Sequence, residues 1–247
     1  RKDLVAEWDA VINWGDSWSY WPGTSAPISN WDDPGTDISN WPTGPSGFGY
    51  GDNDDNTELS QIISVFVRKT FQIDDPTMIT KALFHIDYDD GYIAYLNGEE
   101  FSRRNMGAPN TQVYYNETTT GLHEAEIYSG GFPEEISIDL NEFPIFSGDN
   151  TLAVEVHNYN TSSSDLSCIP FLTLGYNSEI DNATEPHQLM VLPSSYLHTN
   201  FRLSSNGDDL ILSDQDENII DSIFTGTLET DMSFGRYFES SSWVLFA

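Results

Sequence analysis

Beyond Ile62, apolar residues recur at every second position in short runs that end at Gly, Asn, Asp or Pro. Alternation of that period, closed by turn residues, is the pattern of strands with one face in a core. Ile63, Val65 and Val67 alternate with Ser64, Phe66 and Arg68 in the first clear strand. Over residues 81–88, Ala82, Phe84, Ile86 and Tyr88 face one way, and Leu83, His85 and Asp87 the other. Residues 92–96 and 99–101 flank Asn97-Gly98, a pair that tolerates the two positive φ angles of a type I′ turn and so predicts a two-residue hairpin. Further strands are expected at 135–140, 151–158 and 168–175, and three more at 201–204, 208–214 and 219–224. The one helical hint is Leu4, Val5, Trp8, Val11 and Ile12, which share a face at period 3.6; a short helix and a lead-in strand both fit it. The fold class is therefore all-β, with a sandwich or jelly roll expected for residues 1–176. Residues 177–247 begin with a polar connection and continue as a small β segment.

The opening stretch differs from the rest. Six of the seven tryptophans fall within its first 41 residues, among Pro22, Pro27, Pro34, Pro42 and Pro45. Such a segment reads as loops pinned to a core by indole rings. Trp18, Trp31 and Trp41 are expected as core anchors. Trp21, beside Pro22-Gly23, is the candidate for an exposed stacking platform.

Charge narrows the partners. With 9 Lys plus Arg against 40 Asp plus Glu, the chain carries a formal charge of −31. That excludes a basic footprint for nucleic acid and disfavours an anionic membrane surface. No apolar run has the length of a spanning helix, so membrane insertion is not expected. Cys168 is the only cysteine, which rules out a disulfide within the chain and an all-cysteine metal site. The start at Arg1 leads us to expect a piece of a larger parent chain, and the acidic surface an extracellular setting, secreted or at the cell surface.

Several motifs occur in one order: Phe48-Gly49-Tyr50-Gly51-Asp52, Arg68-Lys69-Thr70-Phe71, the run from Asp89-Asp90-Gly91 to Gly98-Glu99-Glu100, Arg104-Asn105-Met106, Ala153-Val154-Glu155-Val156-His157-Asn158 and Ser163-Ser164-Asp165-Leu166. Together they resemble a galactose-binding-like jelly-roll domain of large secreted bacterial proteins, found beside CotH-like kinase modules and lamin-tail domains. The segment from His198 through Tyr237 resembles the later strands of a lamin-tail domain. The resemblance implies a noncatalytic extracellular module that binds carbohydrate.

Two acidic clusters are candidates for Ca²⁺, which takes hard oxygen ligands from flexible loops. Asp52, Asp54 and Asp55 lie in one loop; Thr57 and Ile63 occupy the positions where an EF-hand needs Gly and Glu, so that motif is excluded. Asp89 and Asp90 are the second cluster, with a structural alternative in which Asp90 accepts turn hydrogen bonds. For saccharide, Arg103, Asn105 and Tyr114 join Trp21 as candidates, while Arg104 is expected to pair with a carboxylate. No metalloprotease spacing, nucleophile elbow or phosphate-cradling loop is present, and Glu155 with His157 reads as a polar pair beside the core. The expected function is noncatalytic binding of an extracellular polysaccharide or cell-surface glycan, with calcium supporting the loops. The rival is a structural spacer or adhesion segment. A binder exposes an aromatic ring in a concave site with converging polar groups, whereas a spacer buries its aromatics.

Overall fold

A computed structural model describes residues 5–192, 204, 206–214, 218–227, 233–236 and 243–246. The chain divides into two units, 1–195 and 196–247. In the first, the alternation seen in the sequence becomes two six-stranded sheets packed as a β-sandwich. Its strands are β1 (Glu7–Ile12), β2 (Ser17–Pro22), β3 (Thr43–Pro45), β4 (Phe48–Tyr50), β5 (Thr57–Glu58), β6 (Ser64–Ile73), β7 (Ile79–Tyr88), β8 (Gly91–Leu96), β9 (Glu99–Arg104), β10 (Glu134–Ile138), β11 (Gly148–His157) and β12 (Leu166–Tyr176).

The first sheet runs β10-β7-β12-β4-β5, with β1 also on β12. β1 and β4 share one edge of that long strand, at 172–176 and 166–168 respectively. The second sheet runs β3-β2-β6-β11-β8-β9. The inward residues are those that period two selects. Val65, Val67, Leu152, Val154, Val156 and Tyr92 come from the second sheet, and Ala82, Phe84, Ile86, Leu166, Cys168 and Leu172 from the first. Each is buried, and burying a Val, Leu or Phe side chain contributes about 1.5–3 kcal/mol. Trp18 joins this core at 1% exposure.

Asn97 and Gly98 take φ of 53° and 88°, the two left-handed positions of the expected hairpin turn between β8 and β9. From Glu7 the amphipathic stretch at the N-terminus resolves as strand β1, paired to β12 from Glu7 with Tyr176 to Ile12 with Leu172, while Leu4 lies outside the described residues. Beyond the stretch 176–187, expected as a connection, the chain packs on the outer side of β12. There Leu189, Met190 and Leu192 pack with Ile169, Phe171 and Trp14.

In the second unit, β13 (Asp209–Ser213) and β14 (Ile219–Phe224) form an antiparallel hairpin, as do β15 (Ser233–Arg236) and β16 (Trp243–Phe246). Of the strand expected at 201–204, positions 201–203 lie outside the described residues.

Candidate functional site

Two places in the first unit concentrate chemistry. The loop between β4 and β5 is one. It is pinned at its base by Thr57 N–H to Gly47 O (2.8 Å), Leu59 N–H to Gly49 O (2.6 Å) and the Asn56 amide to Ser46 O (2.6 Å). Asn53 takes a left-handed φ of 69°, which turns the intervening residues back over the sheet end. A Cβ at Gly49 would collide with the Leu166 carbonyl and the Asp55 carboxylate, so glycine is what lets Asp55 fold in there.

The result is a convergence of Asp52, Asp54 and Asp55, with one carboxylate oxygen from each lying within 4.8 Å of the others. Asp52 Oδ2 accepts from Ser167 Oγ at 2.7 Å. The remaining five oxygens (Asp52 Oδ1 and both from Asp54 and Asp55) are buried with no hydrogen-bond partner. Such orphaned anionic oxygens are costly unless protonated or bound to a cation. Burial, followed by the charge of Asp52, pushes Asp54 up to about 7. Burial, then Asp52 and Asp54, pushes Asp55 up to about 8. The group can hold a metal ion: its hard oxygens suit Ca²⁺, with carbonyls or waters completing the shell.

Asp89 and Asp90, joined by a cis peptide, do not enter this group. Asp90 Oδ1 accepts from the His123 N–H at 3.0 Å and Oδ2 from the Tyr159 N–H at 2.7 Å. Both of its carboxylate oxygens thus accept from backbone N–H groups. Asp89 is 3% exposed, and burial together with Asp90 and a hydrogen bond to the Asp165 carboxyl pushes it up to about 9.

The second place is the outer face of the second sheet. Outward positions of adjacent strands put Phe66 opposite Glu155 and Tyr95 opposite Ala153. Arg68, outward on β6 and 7% exposed, donates to the carbonyls of Trp31, Thr36 and Pro34, each at 3.0 Å. One guanidinium thus folds the loop after β2 onto the sheet. Trp31 then stands edge-on to Phe66 (5.2 Å) and Tyr95 (5.8 Å) and stacks on Trp41 at 6.0 Å. Across from it, Ser64 Oγ donates to Tyr115 O and fixes the loop that carries Tyr114.

Between these loops lies a cleft of about 560 Å³. Trp31, Phe66, Tyr95, Tyr114 and Tyr115 supply its aromatic surface, and Asp32, Gln112 and Glu155 its polar groups. Tyr114 is 60% exposed at the rim. Glu155 Oε1 accepts from Tyr95 OH at 2.8 Å, and its Oε2 lies 3.0 Å from His157 Nε2. Burial, together with the charges of Glu155 and Asp33, holds Asp32 above the usual carboxylate range, partly offset by its own backbone N–H and Arg68.

Of the four residues expected at saccharide, only Tyr114 lines this cleft. Trp21 is half-buried, donates its Nε1–H to Ser25 O at 3.0 Å, and lies 5.9 Å from Trp41 as the outer member of the Trp row. It is therefore packed, not free. Asn105, with φ 57°, donates its amide to Asp90 O at 2.8 Å and holds a turn.

Both arginines pair with carboxylates, Arg104 as expected and Arg103 in addition. Arg103 grips Glu100 through two parallel bonds (2.9 and 2.7 Å) and donates to Met106 O at 2.6 Å, with both side chains less than 10% exposed. Arg104 also pairs, with Glu134 at 2.7 Å, but is 47% exposed. Their adjacency on β9 gave no sign of which would turn inward. The cleft residues overlooked in the sequence include Asp32, Phe66, Tyr95 and Gln112, whereas Tyr115 was a candidate beside Tyr114. Only the outward parity shared by Phe66 and Glu155 pointed to that face.

No family model matches the chain, and no curated protein matches it. Among solved structures it is similar to a calcium-binding mutant of beta-glucuronidase 2 from Bacteroides uniformis, at 14% identity and TM-score 0.42, over 68% of this chain and 18% of that one. A beta-glucuronidase from glycoside hydrolase family 2 gives 15% identity and TM-score 0.45, over 90% of this chain and 26% of that one. A beta-glucuronidase from an uncultured Clostridium sp. gives 12% and 0.42, over 90% and 40%. This chain spans less than half the length of each of these enzymes.

Proposed function

We propose that the first unit is a noncatalytic carbohydrate-binding module of a secreted or cell-surface protein, holding a saccharide in the cleft between Trp31 and Tyr114. The observation that carries this reading is an exposed tyrosine at the mouth of an aromatic-walled cleft with converging polar groups. Aromatic faces cover the C–H surface of a sugar ring, and Asp32 and Gln112 can take its hydroxyls. Both oxygens of Glu155 already face Tyr95 and His157, so the cleft offers no pair of free carboxylates for glycosidic chemistry.

Ca²⁺ at Asp52, Asp54 and Asp55 has a structural role in this reading, because none of the three lines the cleft. It fixes the loop between β4 and β5 by neutralising oxygens that nothing else partners.

Glycan-array binding of the wild type and Tyr114→Ala tests the proposal. Removing an exposed stacking ring is expected to weaken binding about tenfold, equivalent to about 1.4 kcal/mol. The melting temperature should stay where it was, since the ring is largely in solvent. Undiminished binding by Tyr114→Ala would remove the cleft from the reading. A wild type that retains no glycan would leave the spacer.

A further inference from the structure

We propose that the cleft selects saccharides bearing a free, protonated amine over their acetylated or acidic counterparts. This rests on the carbohydrate reading above and adds the charge of the preferred ligand.

The lining supplies both halves of an ammonium site. Five aromatic side chains converge there with two carboxylates, and among the described residues no Lys, Arg or His lines it. Electron-rich ring faces attract an ammonium group within about 6 Å, most strongly where water is excluded. The carboxylates divide the work. Glu155 is 3% exposed with both oxygens engaged, so it stiffens Tyr95 and has no lone partner to offer. Asp32, beside Trp31 in the wall, is the acid left facing a ligand. Burial and the charges of Glu155 and Asp33 disfavour its ionised form when no cation is near.

The nearest guanidinium does not fill that need. Arg68 points Nη1 and Nη2 at three carbonyls of the loop, from Trp31 to Thr36. A charge-assisted hydrogen bond from a sugar ammonium to Asp32, with the cation over an aromatic face, satisfies both elements at once. A uronic acid would instead meet two carboxylates, with Arg68, already engaged by three loop carbonyls, as the nearby counter-charge.

The test is calorimetric binding of glucosamine, N-acetylglucosamine and galacturonic acid trisaccharides at about pH 6, where free amines are protonated, and at a near-physiological ionic strength that screens the net charge of the chain. The amine form should bind about tenfold more tightly than the acetylated form, and the acidic form more weakly than either. Asp32→Asn, which removes a charge that burial disfavours, should bring the amine and acetylated forms within about twofold. Asp139→Asn, an exposed carboxylate outside the cleft lining, should leave the preference intact. In the wild type the same preference should vanish above about pH 9, where the amine is neutral, a readout that needs no variant.

Equal binding of amine and acetylated forms would overturn this inference and leave the carbohydrate reading standing. A preference that survives Asp32→Asn would overturn the assignment to this cleft. Binding of none of the three, together with a blank glycan array, would overturn both.

Discussion

Calcium binding at the Asp52, Asp54 and Asp55 loop should release protons. With the carboxylate oxygens within 4.8 Å of one another, each ionised pair repels by about 3 kcal/mol at an effective dielectric near 20. Partial exposure of the loop brings that down by about half. Burial is the larger cause, and with this repulsion it keeps protons on Asp54 and Asp55 when no cation is bound, at about 7 and about 8.

At pH 7 both groups then carry a substantial share of a proton, so seating Ca²⁺ expels about one to two protons. Isothermal titration in buffers of different ionisation enthalpy reads that number directly. It should fall toward zero by about pH 9.5, where both groups are already ionised. The stability change has a defined sign. Folded values raised above the unfolded 3.8 mean that the cation-free protein loses stability as pH climbs from about 4 to about 8. Calcium at a hundredfold excess over its Kd should restore about 2.7 kcal/mol, a shift of about 5–10 °C in Tm for a unit of this size. Calcium that binds without releasing protons, or EDTA that leaves Tm unchanged at pH 8, would refute this reasoning.

Two further substitutions separate effects that the sequence could not. Arg103→Ala strands the buried Glu100 carboxylate and should cost about 3–5 kcal/mol by chemical denaturation, whereas Arg104→Ala, at an exposed pair, should cost less than about 1 kcal/mol. His85 is 1% exposed with neither ring nitrogen hydrogen-bonded, and burial holds its pKa below 6.5 despite Glu135 at 3.5 Å. Wild-type stability should therefore fall as pH drops below about 6.5, and His85→Leu should lack that component in denaturation curves taken across pH 4.5–7.

The sandwich itself was legible because its strands bury one face only. Alternation in 81–88 and around Val65 carries the inward set directly, and Asn97-Gly98 marks its hairpin by φ preference alone. The N-terminal stretch defeated the same test. Leu4, Val5, Trp8, Val11 and Ile12 satisfy a helical period as well as a strand, and pairing to β12, a contact distant in sequence, decides between them.

The sites divide along similar lines. Asp52, Asp54 and Asp55 are close in sequence, so their convergence could be read locally. The cleft could not, because it is assembled by Arg68 reaching back to residues 31–36 and by Ser64 holding Tyr115. Long-range hydrogen bonds of that kind leave no periodic trace. Trp21 was misjudged because its neighbours Pro22 and Gly23 describe its backbone, while its packing depends on Trp41, twenty residues away.

The central claim is that a saccharide occupies the space between Trp31 and Tyr114, and amide chemical-shift mapping during titration with a glycan identified on the array tests it most directly. The predicted result is a cluster of shifts at residues 112–115 and 31–32, with the Trp21 indole N–H unmoved. Shifts confined to another face of the unit, or none at saturating glycan, would contradict it.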